Sequence, residues 1–215
     1  MKLHRQECGS DRLIVFFTGW GMDHRAAAHL DASGYDVWSV ADYTEPVTLT
    51  IPARYRERHL VAWSLGVRAA AECGGEYNDA LAVNGTLRPI DAEEGIAPEI
   101  FDGTIRNWPE ERARERFMLR MTGSRAALET FPRPERTAES QLAELRALAE
   151  RFRAGEAADG FYTRALIGTR DRIFPAAAQR NFWNRAGVPA TEFDAPHAPF
   201  AQFHSWKEVL HFGED

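Results

Sequence analysis

Cysteine is scarce: two residues, Cys8 and Cys73, in a chain of 215. Two are too few for a disulfide framework and match no metal-ligand spacing, so both read as ordinary reduced thiols. Long apolar runs are missing as well. No stretch of about 18 or more apolar residues occurs, which argues against a membrane-spanning helix. The opening MKLHRQECGS lacks the apolar region of a signal peptide, so a cytoplasmic protein is expected. Basic charge is not in excess: a formal net charge of −6 argues against general nucleic-acid binding. Internal repeats and low-complexity tracts are absent too. What the chain does have is 44% hydrophobic residues, enough at this length for one domain with a sizeable core and room for an insertion.

The apolar residues come in short runs. Residues 12–18, RLIVFFT, suit a strand buried on both faces. Further strands are expected over 35–40, 59–64, 80–85, 161–169 and 190–195. Helical patterns fall between them at about 22–32, 65–75, 176–186 and 199–211. Strands alternating with helices predict an α/β fold, a mostly parallel sheet covered by helices on both faces.

Between 98 and 155 the alternation stops. Phe117, Met118 and Met121, then Leu128 and Phe131, then Leu142, Leu145, Leu148 and Phe152 recur at helical spacing. Pro132 and Pro134 separate two of these pieces, because proline interrupts a helix interior. The expected organisation is a core of 1–97 and 156–215 with a helical insertion at 98–155, rejoined through RAGEAADG at 153–160. Charge is uneven across this boundary. From Arg106 to Arg153 there are eleven arginines and eight glutamates with no lysine or aspartate, a net +3 that leaves −9 on the rest. A basic segment on an acidic body fits either an acidic partner or a solvated helical face.

Residues 60–68 read LVAWSLGVR: a buried-strand run ends at Ser64 and a helical pattern begins. A strand–serine–helix corner suits a nucleophile elbow, usually spelled G-x-S-x-G. Here Ala62 replaces the first glycine and Gly66 keeps the second. Alone the motif is weak, since a serine after a strand is more often an N-cap. Chain order adds weight, because the α/β-hydrolase order is Ser, then Asp or Glu, then His. Asp171, in GTRDRIFP, follows the strand expected at 161–169. His197, in DAPHAPF, follows the one expected at 190–195. All three stand after strand carboxyl ends, where open α/β sheets place their sites. Ser64 would be the nucleophile, His197 the general base and Asp171 the residue that orients it. Asp91, in RPID, is the reserve acid. His204 and His211 compete with His197 but fall within the terminal helical pattern. The glycine-rich FFTGWGMD at 16–23 follows the first buried strand. It suggests oxyanion donors in the backbone N–H groups of Trp20 and Leu65, with Gly19 and Gly21 allowing close approach.

Five segments, FTGWGMD, VAWSLG, NGTLRPID, GIAPEIFDGTI and PHAPF, together resemble the BioG type of pimeloyl-acyl-carrier-protein methyl ester esterase. The similarity spans nearly the whole chain. It implies an α/β-hydrolase that removes the methyl ester from a pimeloyl chain carried by acyl carrier protein in biotin synthesis, through an acyl-enzyme and without metal or cofactor. Segment 98–155 becomes its lid. An acidic carrier then gives the arginine excess a purpose, with Arg112, Arg116, Arg120 and Arg146 as first choices for contact, and a monomer is expected. Two other readings stand beside it: a general short-chain carboxylesterase or thioesterase with the same triad, and a hydrolase-fold binding protein that has lost catalysis.

Overall fold

A computed structural model describes residues 1–155 and 160–214. Among them seven strands form one sheet: β1 (Lys2–Gln6), β2 (Arg12–Phe17), β3 (Asp36–Ala41), β4 (Glu57–Trp63), β5 (Asp79–Val83), β6 (Arg164–Gly168) and β7 (Ala190–Phe193). Their order is β1-β3-β2-β4-β5-β6-β7. Only β1 runs antiparallel to its neighbour; every other pairing is parallel. The apolar runs dictate this. Leu13 to Phe17 in β2 and Leu60 to Trp63 in β4 are buried on both faces, as central parallel strands must be.

The strand β1 went unanticipated because KLHRQ is polar and mostly exposed. It caps the sheet edge with charge, its Arg5 guanidinium lying 4.4 Å above the Trp38 ring.

Two expected helices are shorter than their patterns. In place of 22–32 stands a single 3-10 turn, His24–Ala27, capped by the Asp23 side chain. The chain cannot continue as helix because the backbone of Asp31 bonds to His204 (2.9 Å) and Trp206 (2.9 Å) on a distant segment. The same bridge divides 199–211 into a 3-10 turn, Phe200–Gln202, and the helix α7 (Trp206–His211). The Ser205 side chain caps α7 by accepting from Glu208 N–H. His204 therefore lies between these two pieces rather than inside a helix.

Helices α1 (Leu65–Cys73) and α6 (Ala176–Ala186) pack on the sheet as expected. Between β5 and β6 come four helices: α2 (Pro98–Asn107), α3 (Glu111–Thr122), α4 (Arg125–Thr130) and α5 (Ala138–Ala154). Pro98 opens α2 at its first turn, where a missing N–H costs nothing. The proline-bearing stretch 131–137 separates α4 from α5. Of the expected connection at 153–160, residues 156–159 lie outside the described residues.

At the start of β3 the fully buried Asp36 carboxylate collects five donors. Its Oδ1 accepts from the N–H groups of Cys8 (2.8 Å), Gly9 (3.1 Å) and Ser10 (3.1 Å). Its Oδ2 accepts from Tyr55 Oη (2.8 Å) and Arg54 Nη2 (3.2 Å). Burial opposes ionisation, but the Cys8 N–H, the Tyr55 hydroxyl and the Ser10 N–H outweigh it and bring the pKa down from 3.8 to about 2. A depressed folded-state value stabilises the fold above the unfolded value, on the order of 2 kcal/mol, and that contribution is lost as pH falls from about 4 to about 2. Asp36→Asn should be less stable at neutral pH and should lose less stability across that acid interval. Urea unfolding of both proteins at pH 7 and pH 3 checks this.

Candidate active site

Ser64 follows the last residue of β4 and precedes α1 at φ 60°, ψ −129°, a backbone conformation that non-glycine residues rarely adopt. Two main-chain bonds hold it there: Ser64 N–H to Val83 O (3.0 Å) and Val67 N–H to Ser64 O (3.0 Å). Close packing encloses the corner. A Cβ on Gly66 would lie 2.4 Å from Thr18 O, and one on Gly85 would lie 2.4 Å from Ser64 O. Ala62, where the usual motif has glycine, sits inside β4 in register with Phe17 and Ala82. Its methyl group is fully buried in the sheet.

The Ser64 hydroxyl makes no capping hydrogen bond to α1. It lies 2.9 Å from His197 Nε2, whose Nδ1 lies 2.7 Å from Asp171 Oδ2. All three residues are buried. With Nδ1–H donating to the carboxylate, Nε2 is left to accept from the Ser64 hydroxyl.

Each member is held from a second direction. Asp171 Oδ1 accepts from the N–H groups of Ile173 (2.8 Å) and Phe174 (2.8 Å), and its Oδ2 accepts from Gln179 Nε2 (3.2 Å). The His197 carbonyl accepts from Trp63 Nε1 (2.8 Å) and from Asn84 Nδ2 (2.9 Å). Asn84 also donates to Pro196 O (3.0 Å) and accepts from Gly168 N–H (2.6 Å). One amide thus joins the end of β5, the end of β6 and the histidine loop. Asn84 belongs to the NGT segment, but one sequence alone does not show which carbonyls its amide would meet.

The other candidates fall elsewhere. Asp91 Oδ1 accepts from the N–H groups of Glu93 and Glu94, a turn built on itself. His204 is exposed, and the exposed His211 bonds Glu214. Trp20 lies beside Ser64, and its main-chain N–H has no partner among the described residues. Leu65, as the first residue of α1, has no carbonyl a turn earlier in its helix to bond. Neither N–H has a hydrogen-bond partner among the described residues. The pocket there is walled by Trp20, Leu65, Ile96, Phe101, Phe117 and Leu145, with Arg120 and Arg172 contributing its charge. Arg112, Arg116, Arg120 and Arg146 are exposed and make no ion pair among the described residues. Among the described residues, no group of three His, Cys, Asp or Glu could hold a metal.

Residues 1–209 match the family described as pimeloyl-ACP methyl esterase BioG. The chain belongs to the BioG family. It is similar to the crystal structure of BioG from Haemophilus influenzae, with a TM-score of 0.91 and 31% identity over 98% of this chain and 100% of that one. An uncharacterized protein of Haemophilus influenzae is 32% identical over 97% of this chain and 99% of its own length. A malonyl-[acyl-carrier protein] O-methyltransferase of Bacteroides fragilis is 32% identical over 86% of this chain, which spans only 39% of that protein's length. Bromoperoxidase from Bacillus anthracis, with a TM-score of 0.69 and 14% identity, covers 99% of this chain and 95% of its own. That likeness shows the shared α/β-hydrolase fold alone.

The corner at Ser64 leaves no room for an extra methyl group. Gly66→Ala should destabilise the protein by about 1–3 kcal/mol, since the neighbouring carbonyls belong to β2 and the residue after it and cannot move independently. Thermal unfolding checks this, with the exposed Gly155→Ala as the control: nothing lies within 4 Å of a Cβ there.

Proposed function

We propose that the chain is a serine esterase that hydrolyses the methyl ester of a pimeloyl chain carried by acyl carrier protein. The observation that carries this is the hydrogen-bonded series Ser64–His197–Asp171 opening into an apolar pocket, in a member of the BioG family. The Ser64 oxygen attacks the ester carbonyl while His197 Nε2 takes its proton. The charge that develops on the carbonyl oxygen meets the N–H groups of Trp20 and Leu65. Collapse breaks the bond to the methoxy group, which leaves as methanol with the proton from His197. Water then attacks the acyl-enzyme, with His197 as base again, and the free carboxylate departs from Ser64. Asp171 holds the imidazole tautomer and stabilises the imidazolium. The pocket walls suit a methylene chain, which offers no hydrogen bonds.

Segment 98–155 supplies Ile100, Phe101, Thr104, Phe117, Arg120 and Leu145 to the pocket and acts in this reading as its lid. The unpaired arginines on its outer surface would attract an acidic carrier. A general short-chain esterase with the same residues is the competing reading, and substrate choice separates the two.

Ser64→Ala should fold normally and lose roughly 10⁴- to 10⁶-fold in ester turnover. His197→Ala should be inactive as well, whereas His204→Ala and His211→Ala should keep parental rates. A dead His204 variant with an active His197 variant would reassign the base. Loss of the methyl group from methyl-pimeloyl carrier protein, followed by intact mass, is the direct assay.

Reversing Arg112 and Arg116 to Glu should raise KM for the carrier-bound ester and leave a small free methyl ester unaffected. Salt should weaken the parent's use of the carrier-bound ester in the same way, because screening at ~0.15 M acts over about 8 Å. Equal turnover of both substrates by parent and variant would favour the general esterase.

A further inference from the structure

Helix α5 contacts the candidate site through its Gln141 and Glu144 face, one turn apart and buried. The Glu144 carboxylate is fully buried. Its Oε2 accepts from Gly21 N–H (3.1 Å) and its Oε1 from Tyr43 N–H (2.8 Å), while Arg136 Nη1 lies 3.0 Å from Oε2. Gln141 grips the same loop. Its Nε2 donates to Gly21 O (2.9 Å), and its main-chain carbonyl accepts from Trp20 Nε1 (2.7 Å). Burial pushes the Glu144 carboxyl up, and Arg136 with the Tyr43 and Gly21 N–H groups opposes that push.

The loop itself is a turn. Met22 N–H bonds Gly19 O (3.1 Å), and Gly21 takes the positive φ of 71° that a type II turn requires at its third position. Its two central N–H groups belong to Trp20 and Gly21. Glu144 occupies the Gly21 N–H, Gln141 occupies the Gly21 carbonyl, and the Trp20 N–H alone is left free. Tyr43 extends the brace: its main chain bonds Glu144 and its hydroxyl donates to Thr18 O (2.8 Å), just before the turn.

We infer that Glu144 is a positioning residue for ester hydrolysis: by holding Gly21 N–H it fixes the turn so that Trp20 N–H faces the oxygen that becomes negative. This rests on the serine esterase reading above. It also gives α5 a part in the chemistry beyond covering the pocket. A preorganised donor stabilises charge present only in the transition state, so its misplacement lowers kcat more than it raises KM. Glu144→Gln keeps the shape but removes the charge opposite Arg136 and turns an –NH2 toward one of two N–H donors. With the oxygen kept beside Arg136 and Gly21 it is Tyr43 N–H that loses its acceptor, and the brace that runs from Glu144 through Tyr43 to the start of the turn loosens.

The test compares Glu144→Gln, Gln141→Ala and the parent. Each is measured with a small methyl ester, an alkyl trifluoromethyl ketone that adds to Ser64, and the methyl ketone of equal chain length. Folded Glu144→Gln should lose about 10- to 100-fold in kcat with KM nearly unchanged. The trifluoromethyl ketone should weaken in proportion to kcat, and the methyl ketone should bind as before. Gln141→Ala should move the same quantities in the same direction by less, and it carries the test if Glu144→Gln does not fold. Parental kcat and inhibitor affinity in folded variants would overturn the inference. Equal weakening of both ketones would overturn it too, because a collapsed pocket, not a misdirected donor, loses ground-state binding. The underlying reading fails differently: Ser64→Ala would then be as active as the parent, whatever the Glu144 variants do.

Discussion

The geometry of the site depends on one backbone constraint: Ser64 must turn through a positive φ within contact distance of two other backbone segments. For a residue with a side chain this costs on the order of 1–3 kcal/mol, and it persists only where the surroundings over-determine it. They do so here. Gly66 lets α1 start against the Thr18 carbonyl, and Gly85 lets the chain leaving β5 pass the Ser64 carbonyl. Val83 O receives the Ser64 N–H, so β5 holds the corner from the other side. The strained corner turns the hydroxyl away from a capping position, where a serine in this place would otherwise rest, and toward His197.

The corner would be useless if the histidine loop moved, and the loop is held by its own backbone. Asn84 sits at φ 49°, the residue before Gly85, and reaches three main-chain groups across β6 and the histidine loop. Trp63, the residue before Ser64, donates to the His197 carbonyl. Ala198 N–H bonds Met121 O in α3 (2.9 Å), so the helical segment also holds this loop. Neighbours of the proposed nucleophile in sequence therefore position the proposed base, and a shift in one propagates to the other through bonds rather than through loose packing.

What the sequence made legible follows from the physics of each element. Central strands buried on both faces leave continuous apolar runs, as β2 does, and all of β2 through β7 were anticipated with boundaries within three residues of those observed. Edge strand β1 leaves no such trace, since KLHRQ faces solvent. The helical patterns at 22–32 and 199–211 were partly misleading because their apolar residues are buried, but the backbone of Asp31 bonds to His204 and Trp206 instead of to its own turn. Ser64, Asp171 and His197 could be named because each stands just past a strand end in the order of the fold. Asn84, Gln141, Glu144 and Gln179 could not, because their work is to bond groups that become neighbours only after folding.

The arginine-rich segment shows why a charge count needs a structure. Its net +3 fitted either an acidic partner or a solvated face, and in the structure its arginines divide by environment. Arg136 is buried against Glu144 and Asp42, Arg151 reaches Glu72 and Tyr43 O, Arg153 pairs with Asp102, and Arg114 caps the chain at Trp108 and Pro109. Arg112, Arg116, Arg120 and Arg146 remain exposed without an ion pair among the described residues. Buried Arg136 acts at short range in low dielectric, where removing one partner leaves an unpaired buried charge. The outward group acts through solvent, where each charge is weak and salt screens it. One segment thus carries two electrostatic functions that respond differently to ionic strength. Salt should weaken attraction at its outer face long before it disturbs the carboxylate that holds the Trp20–Gly21 turn. On the proposed reading, this lets carrier encounter be tuned on the surface without loosening the donor that faces the ester.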